Sequence, residues 1–178
     1  MKKKVNYQSL FRKNQRKKVK IAAKNRKCEQ CAACCFTMVV EDLGKGQYED
    51  CKFCKDSSAN DCANGRCKIY LNRPDACEAF ACLWLQGIMP LECRPDKFGV
   101  MLYTDDGTRL KQGVVIVNEI EELALEKPEV LALIKKISQI EIVYAVDLDK
   151  KLKIYCPESR RSEIDELIKQ RTERSEGK

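Results

Sequence analysis

From about Phe98 onward, apolar and polar positions follow two distinct periods. Phe98 to Thr104 alternates as a strand, Asp106-Gly107 is a hairpin-turn pair, and Leu110 to Val117 alternates as the returning strand. Residues 119–138 carry helical spacing, with Pro128 dividing that segment or opening its second helix. Ile140, Ile142, Tyr144 and Val146 alternate as a third strand, and Leu152, Ile154 and Cys156 as a fourth. Cys156 shares a face with Leu152 and Ile154, which marks it as a core thiol. Ile164, Leu167 and Ile168 give the closing helix its apolar face. The order ββαββα predicts an α+β fold whose sheet is small and antiparallel.

Upstream the periodicity fades. Residues 44–66 are rich in Gly, Ser and Asn and read as loop. A helix is predicted from Pro74, which suits a first helical position, to Gly87. In residues 1–27, Tyr7, Leu10 and Phe11 at i, i+3, i+4 predict a weakly amphipathic helix among basic clusters. The chain thus divides into an arm (1–27), a cysteine-rich lobe (28–97) and an α+β segment packed on it (98–178). An apolar fraction of 44% permits a hydrophobic core. No apolar run approaches the ~18–20 residues needed to span a bilayer.

Charge separates the arm from the rest. The formal net charge is +7, yet residues 1–27 hold twelve Lys or Arg and no acid. The other 22 basic and 27 acidic residues give −5. Two readings of the arm follow: a solvated segment docked on the acidic body, or a tether to RNA, the ribosome, an acidic protein or an anionic membrane surface. It is too polar for a signal peptide, and too rich in Lys and poor in Ser for a mitochondrial presequence.

The lobe carries the chemistry. Twelve cysteines and no histidine occur in 178 residues, and four of the thiols fall at Cys28-x2-Cys31-x2-Cys34-Cys35. Without an export signal, such crowding points to metal rather than disulfides, and to a cytoplasmic setting. Without imidazole, the ligands for a soft ion are thiolates, in an all-cysteine zinc site or an iron–sulfur cluster. C-x2-C knuckles turn two sulfurs toward one ion, and here they overlap, with a second clean pair at Cys51 and Cys54. Neighbouring residues seldom face the same ion, so the Cys34-Cys35 doublet points to a polynuclear or two-site arrangement. Cys67, Cys77 and Cys82 complete the candidate ligands, with Trp84 expected to pack over the site and Arg73 to sit beside it. Cys62 and Cys93 are read evenly as ligand or free thiol.

These residues resemble the bacterial CxxCxxCC (YkgJ-type) cysteine-cluster family, a zinc- or iron-chelating domain. The likeness rests on Cys28-x2-Cys31-x2-Cys34-Cys35, Leu43-Gly-Lys45, and Cys51-Lys-Phe-Cys54. It continues through Cys67-Lys-Ile69-Tyr70-Leu-Asn-Arg73-Pro74-Asp-Ala-Cys77, Phe80-Ala-Cys82-Leu-Trp84-Leu-Gln-Gly87 and Arg94-Pro95-Asp96-Lys-Phe-Gly99-Val100. The resemblance implies a cysteine-ligated metal domain over residues 28–100. The segment from Cys54 to Cys67 is longer than the family pattern and adds Cys62, leaving the choice among Cys51, Cys54 and Cys62 open. The basic arm lies outside the motif.

Four function classes follow. The first is a protein whose zinc or iron is structural or stored, its arm recruiting an anionic partner. The second is an iron–sulfur redox or accessory protein serving a modification enzyme. A nucleic-acid binder with zinc modules is another, drawing on the arm but without interleaved aromatics in the lobe. Catalysis is the remaining class. The motif resembles one in longer proteins related to flagellin lysine methylation, but the chain has no Gly-rich phosphate cradle and no imidazole base.

Overall fold

The computed structural model describes residues 23, 25–28, 31–54, 67, 69, 72–105 and 114–176. Its regular elements are α1 (Ala33–Thr37), α2 (Asp75–Glu78), α3 (Pro95–Phe98), β1 (Val100–Asp105), β2 (Val114–Glu119), α4 (Pro128–Ile137), β3 (Val143–Val146), β4 (Leu152–Tyr155) and α5 (Arg161–Glu176). The mixed α and β content agrees with the sequence reading, and the second half follows the expected ββαββα order. Most of the arm, the Asp106-Gly107 turn and residues 110–113 lie outside the described residues.

The sheet corrects one expectation. Its order is β1-β2-β3-β4, and β1–β2 and β3–β4 are antiparallel as predicted. However, β2 and β3 run parallel, with Val115 opposite Val143 and Val117 opposite Ala145. The sheet is therefore mixed. The cause is the connection between them: Ile120 to Ile142 includes α4, long enough to return the chain to the end where β2 began. Pro128 opens α4 at its first turn, where the missing N–H costs nothing.

The period-2 pattern has the expected consequence. Val115 and Val117 of β2 pack with Val143 and Ala145 of β3 and with Val130, Ile134 and Ile137 of α4. On the opposite face Val114, Ile142 and Ile164 form a second cluster, with Ile116, Tyr144, Ile154 and Cys156 against it. Cys156, expected on the core face of the fourth strand, instead follows the end of β4 and packs half-buried against this cluster. Of the expected apolar face of α5, Ile164 is buried but Ile168 is 47% exposed. Ile168 lies beyond the part of the helix that covers the sheet.

Lobe and sheet share one core. Leu83, Trp84, Ile88 and Met89 belong to the same cluster as Val100, Val117 and Ile134. The Leu83 amide donates to the Leu102 carbonyl of β1 at 2.8 Å, and the Phe80 ring meets Tyr103 edge-on with centroids 5.5 Å apart. Gly99 makes the junction between α3 and β1. Its φ is +80°, and a Cβ there would stand 2.8 Å from that of Ala124. The helix expected from Pro74 to Gly87 is cut to the single turn α2, with Pro74 as its N-cap. Beyond it Ala81, Cys82, Leu83 and Trp84 are buried in succession, which a helix with one wet face does not allow. Among the described residues no helix is long and apolar enough to cross a membrane.

Candidate metal centre

The cysteine motif folds into a tight turn followed by a short helix. The Cys31 amide donates to the Cys28 carbonyl at 2.7 Å, and α1 then carries Cys34 and Cys35. A second turn of the same kind joins Cys54 to Cys51 at 2.8 Å, and Cys54 forms an isolated antiparallel bridge with Cys67. Helix α1 is only five residues long and has no side-chain N-cap, so its stability comes from what surrounds it. Thr37, which is buried, donates to the Ala33 carbonyl at 2.9 Å.

The strongest tie is a buried ammonium. Lys45 Nζ donates to the carbonyls of Phe36 (3.1 Å), Met38 (2.6 Å) and Gly46 (2.9 Å), and only 6% of the residue is exposed. It closes the carbonyl end of α1, where a cation is favoured. Gly44 (φ +62°) makes the left-handed turn that brings it there. Burial lowers the Lys45 pKa, and the nearby Cys51 and Cys35 sulfurs oppose that shift. This role escaped the sequence reading because Gly-Lys looks like an ordinary surface turn.

Eight of the nine candidate ligands line two adjoining cavities. The larger, about 580 Å³, is walled by Cys28, Cys31, Cys34, Cys35, Cys51, Cys67 and Cys77, with Lys45 and Arg73. The smaller, about 200 Å³, is walled by Cys28, Cys31, Cys34, Cys77 and Cys82, with Arg73 and Trp84. The ninth, Cys54, is buried against Cys35, Cys51 and Cys67. Trp84 thus stands at the smaller cavity, its Nε1 donating to the Leu91 carbonyl at 3.0 Å. Cys93 is buried but lines neither cavity, and Cys62 lies outside the described residues.

The donor chemistry suits a soft ion. All described cysteines are free thiols, and no carboxylate is among the residues lining the larger cavity. Among the described residues, however, no three cysteine, aspartate or glutamate side chains stand in a coordinating arrangement. Burial pushes the Cys31 thiol up to about 12 and that of Cys82 to about 11. Cys35 moves the opposite way. Its sulfur accepts from the Cys34 and Cys54 thiols, with Lys45 and Arg73 adding to the effect, and this holds it well below the usual thiol range against the opposing effect of burial. The same hydrogen bond to Cys35, together with burial, raises Cys34. Cys35 thus favours its thiolate while Cys31, Cys34 and Cys82 favour their protons, which a soft cation would displace.

The end of the arm is attached to this lobe. Ala23 donates its amide to the Leu85 carbonyl at 2.9 Å. Arg26 donates to the Trp84 carbonyl at 2.8 Å, its guanidinium 5.0 Å from the centre of the Trp84 ring. Nothing in the spacing of residues 1–27 marked these contacts.

No family model matches the chain, and neither a curated protein nor a solved structure matches it.

Proposed function

We propose that this protein binds metal through cysteine thiolates, holding zinc or an iron–sulfur cluster, and that it is a relative of the CxxCxxCC family it resembles. The observation that carries this reading is the gathering of Cys28, Cys31, Cys34, Cys35, Cys51, Cys67, Cys77 and Cys82 around two adjoining cavities, with Cys54 packed alongside. Inert thiols have no reason to collect from stretches fifty residues apart, beside the cations Lys45 and Arg73. Those cations suit a centre whose thiolates outnumber the charge of its metal. A bound metal would supply crosslinks that the lobe lacks in regular structure.

Elemental analysis of full-length protein purified without oxygen tests this reading. Stoichiometric zinc, or iron with acid-labile sulfide and a brown colour, is the expected result. Protein that is folded and free of both metals contradicts it.

The twelve positive charges of residues 1–27 favour an anionic partner, RNA, ribosome or acidic protein, for the same molecule. Salt-dependent RNA binding that disappears when residues 1–22 are removed, a cut that spares Ala23 and Arg26, is the expected result. Unchanged binding by the truncated protein excludes the tether. The abundance of free thiols favours a reducing compartment such as the cytoplasm.

A further inference from the structure

We infer that the cysteines form two separate centres that meet at the Cys34-Cys35 doublet, one drawn from Cys35, Cys51, Cys54 and Cys67 and the other from Cys28, Cys31, Cys34 and Cys82. The inference rests on the metal-binding reading above and adds to it a number of sites and a division of ligands.

The packing separates the two sets. Cys35 and Cys67 lie against buried Cys51, Cys54 and Ala32 in a small cluster of their own, closed by Leu43 and Phe53. Cys31 and Cys34 instead pack into the main core with Cys82, Leu83 and Trp84. Adjacent positions on a helix diverge by about 100°, so Cys34 and Cys35 leave α1 in different directions, although their sulfurs stay within hydrogen-bond reach where the two sets meet. The backbone divides in the same way. Each set contains one complete C-x2-C turn, closed at 2.7 Å in one and 2.8 Å in the other. The Cys54–Cys67 bridge and the hydrogen bond from the Cys54 thiol to Cys35 tie the first set together. Cys82 walls only the smaller cavity and Cys35, Cys51 and Cys67 only the larger, while Cys28, Cys31, Cys34 and Cys77 wall both and line the boundary between them.

Four thiols per set match a tetrathiolate requirement, whether for one zinc ion or for one iron–sulfur cluster. Cys82 and Cys54 share neither an apolar cluster nor a cavity wall, so a single centre would have to draw them together. Because no three donors among the described residues are in a coordinating arrangement, each set has to close on its ion. Binding and ordering of the lobe are then coupled.

Cobalt(II) is the probe. Full-length protein, reduced and stripped of metal without oxygen, is titrated while the thiolate-to-cobalt charge-transfer band is followed. The wild type is expected to take two tight equivalents. Cys35→Ala, Cys54→Ala and the double variant should each take one, as should Cys34→Ala, Cys82→Ala and their double. Combining Cys54→Ala with Cys82→Ala should take none. The retained equivalent in each single variant shows that its lobe still folds. The same variants should halve the metal content of protein as isolated. One equivalent in the wild type, or loss of all binding in any single variant, overturns the division while leaving metal binding intact. No cobalt bound by the wild type removes both readings.

Discussion

The two halves of this protein are held together by different means. Residues 98–176 obtain order from periodic burial: strands alternate, α4 fills one face, and each buried Ile or Val contributes about 1.5–3 kcal/mol. In the lobe, α1 and α2 have five and four residues, and each C-x2-C turn is closed by one backbone hydrogen bond. Its own apolar cluster consists of Ala32 and thiols, with Leu43 and Phe53 at the edge. A cluster that small does not offset the cost of ordering its backbone, which is about 1–2 kcal/mol per residue. The comparison teaches where crosslinks matter. The sheet half, with the lobe residues Leu83, Trp84, Ile88 and Met89 that share its core, stands on hydrophobic burial, whereas on the proposed metal-binding reading the thiol cluster is ordered by the ion it holds.

The largest expected effect of a single substitution falls in the sheet half. Ile134→Ala, at a position 1% exposed, should cost about 2–5 kcal/mol in denaturant unfolding while leaving metal stoichiometry unchanged. An equal loss of metal would mean the two halves are not distinct in this way. Next is Lys45→Met, which removes three charge-assisted hydrogen bonds, two at the end of α1 and one to Gly46. It should cost about 2–3 kcal/mol and also weaken metal binding, whereas a variant with wild-type stability would deny the ammonium its role.

A pH titration sharpens the contrast. Burial raises the Cys82 thiol to about 11 and Cys31 to about 12, so in stripped, reduced protein the folded lobe prefers these groups protonated. That contribution is fully present below the unfolded thiol value of roughly 8.5 and is lost as pH rises through 11 to 12. Stability should therefore fall on the alkaline side in stripped protein, and much less once metal has replaced the protons. Identical alkaline profiles with and without metal would contradict this. The smallest effect is expected on α5, where Ile168→Ser, at a position 47% exposed, should change stability by less than about 0.5 kcal/mol. Ile164→Ala on the same helix should cost several times more.

The sheet half was the more legible in sequence, because alternation and helical spacing are written by the burial that stabilises them. Pro128 and the strand around Tyr144 stand close to where their spacing put them, with β3 beginning at Val143 because Ile140 still belongs to the turn after α4. Strand direction was not legible, because alternation of Val115 and Val117 is the same in a parallel and an antiparallel ladder. The 74–87 helix failed for a related reason. Phe80 to Leu85 is an apolar run without a wet side, and only the tertiary pairing of Leu83 with Leu102 decides its course. In the lobe, the spacing of Cys28 to Cys35 announced the knuckle. It could not say that Cys34 packs against the main core and Cys35 against the small thiol cluster, which depends on the distant Cys82 and Cys67. Lys45 was hidden for the same reason: its partners are backbone carbonyls, which no sequence motif displays.

Amide hydrogen exchange on oxygen-protected, full-length protein, with and without a strong chelator, tests the central claim most directly. Chelation should strip protection from residues 31–54 and 72–79 while the amides of β1 to β4, and of Leu83 that pairs with β1, retain theirs. Metal that leaves without any loss of protection in the lobe, or protection lost equally from lobe and sheet, would contradict the account.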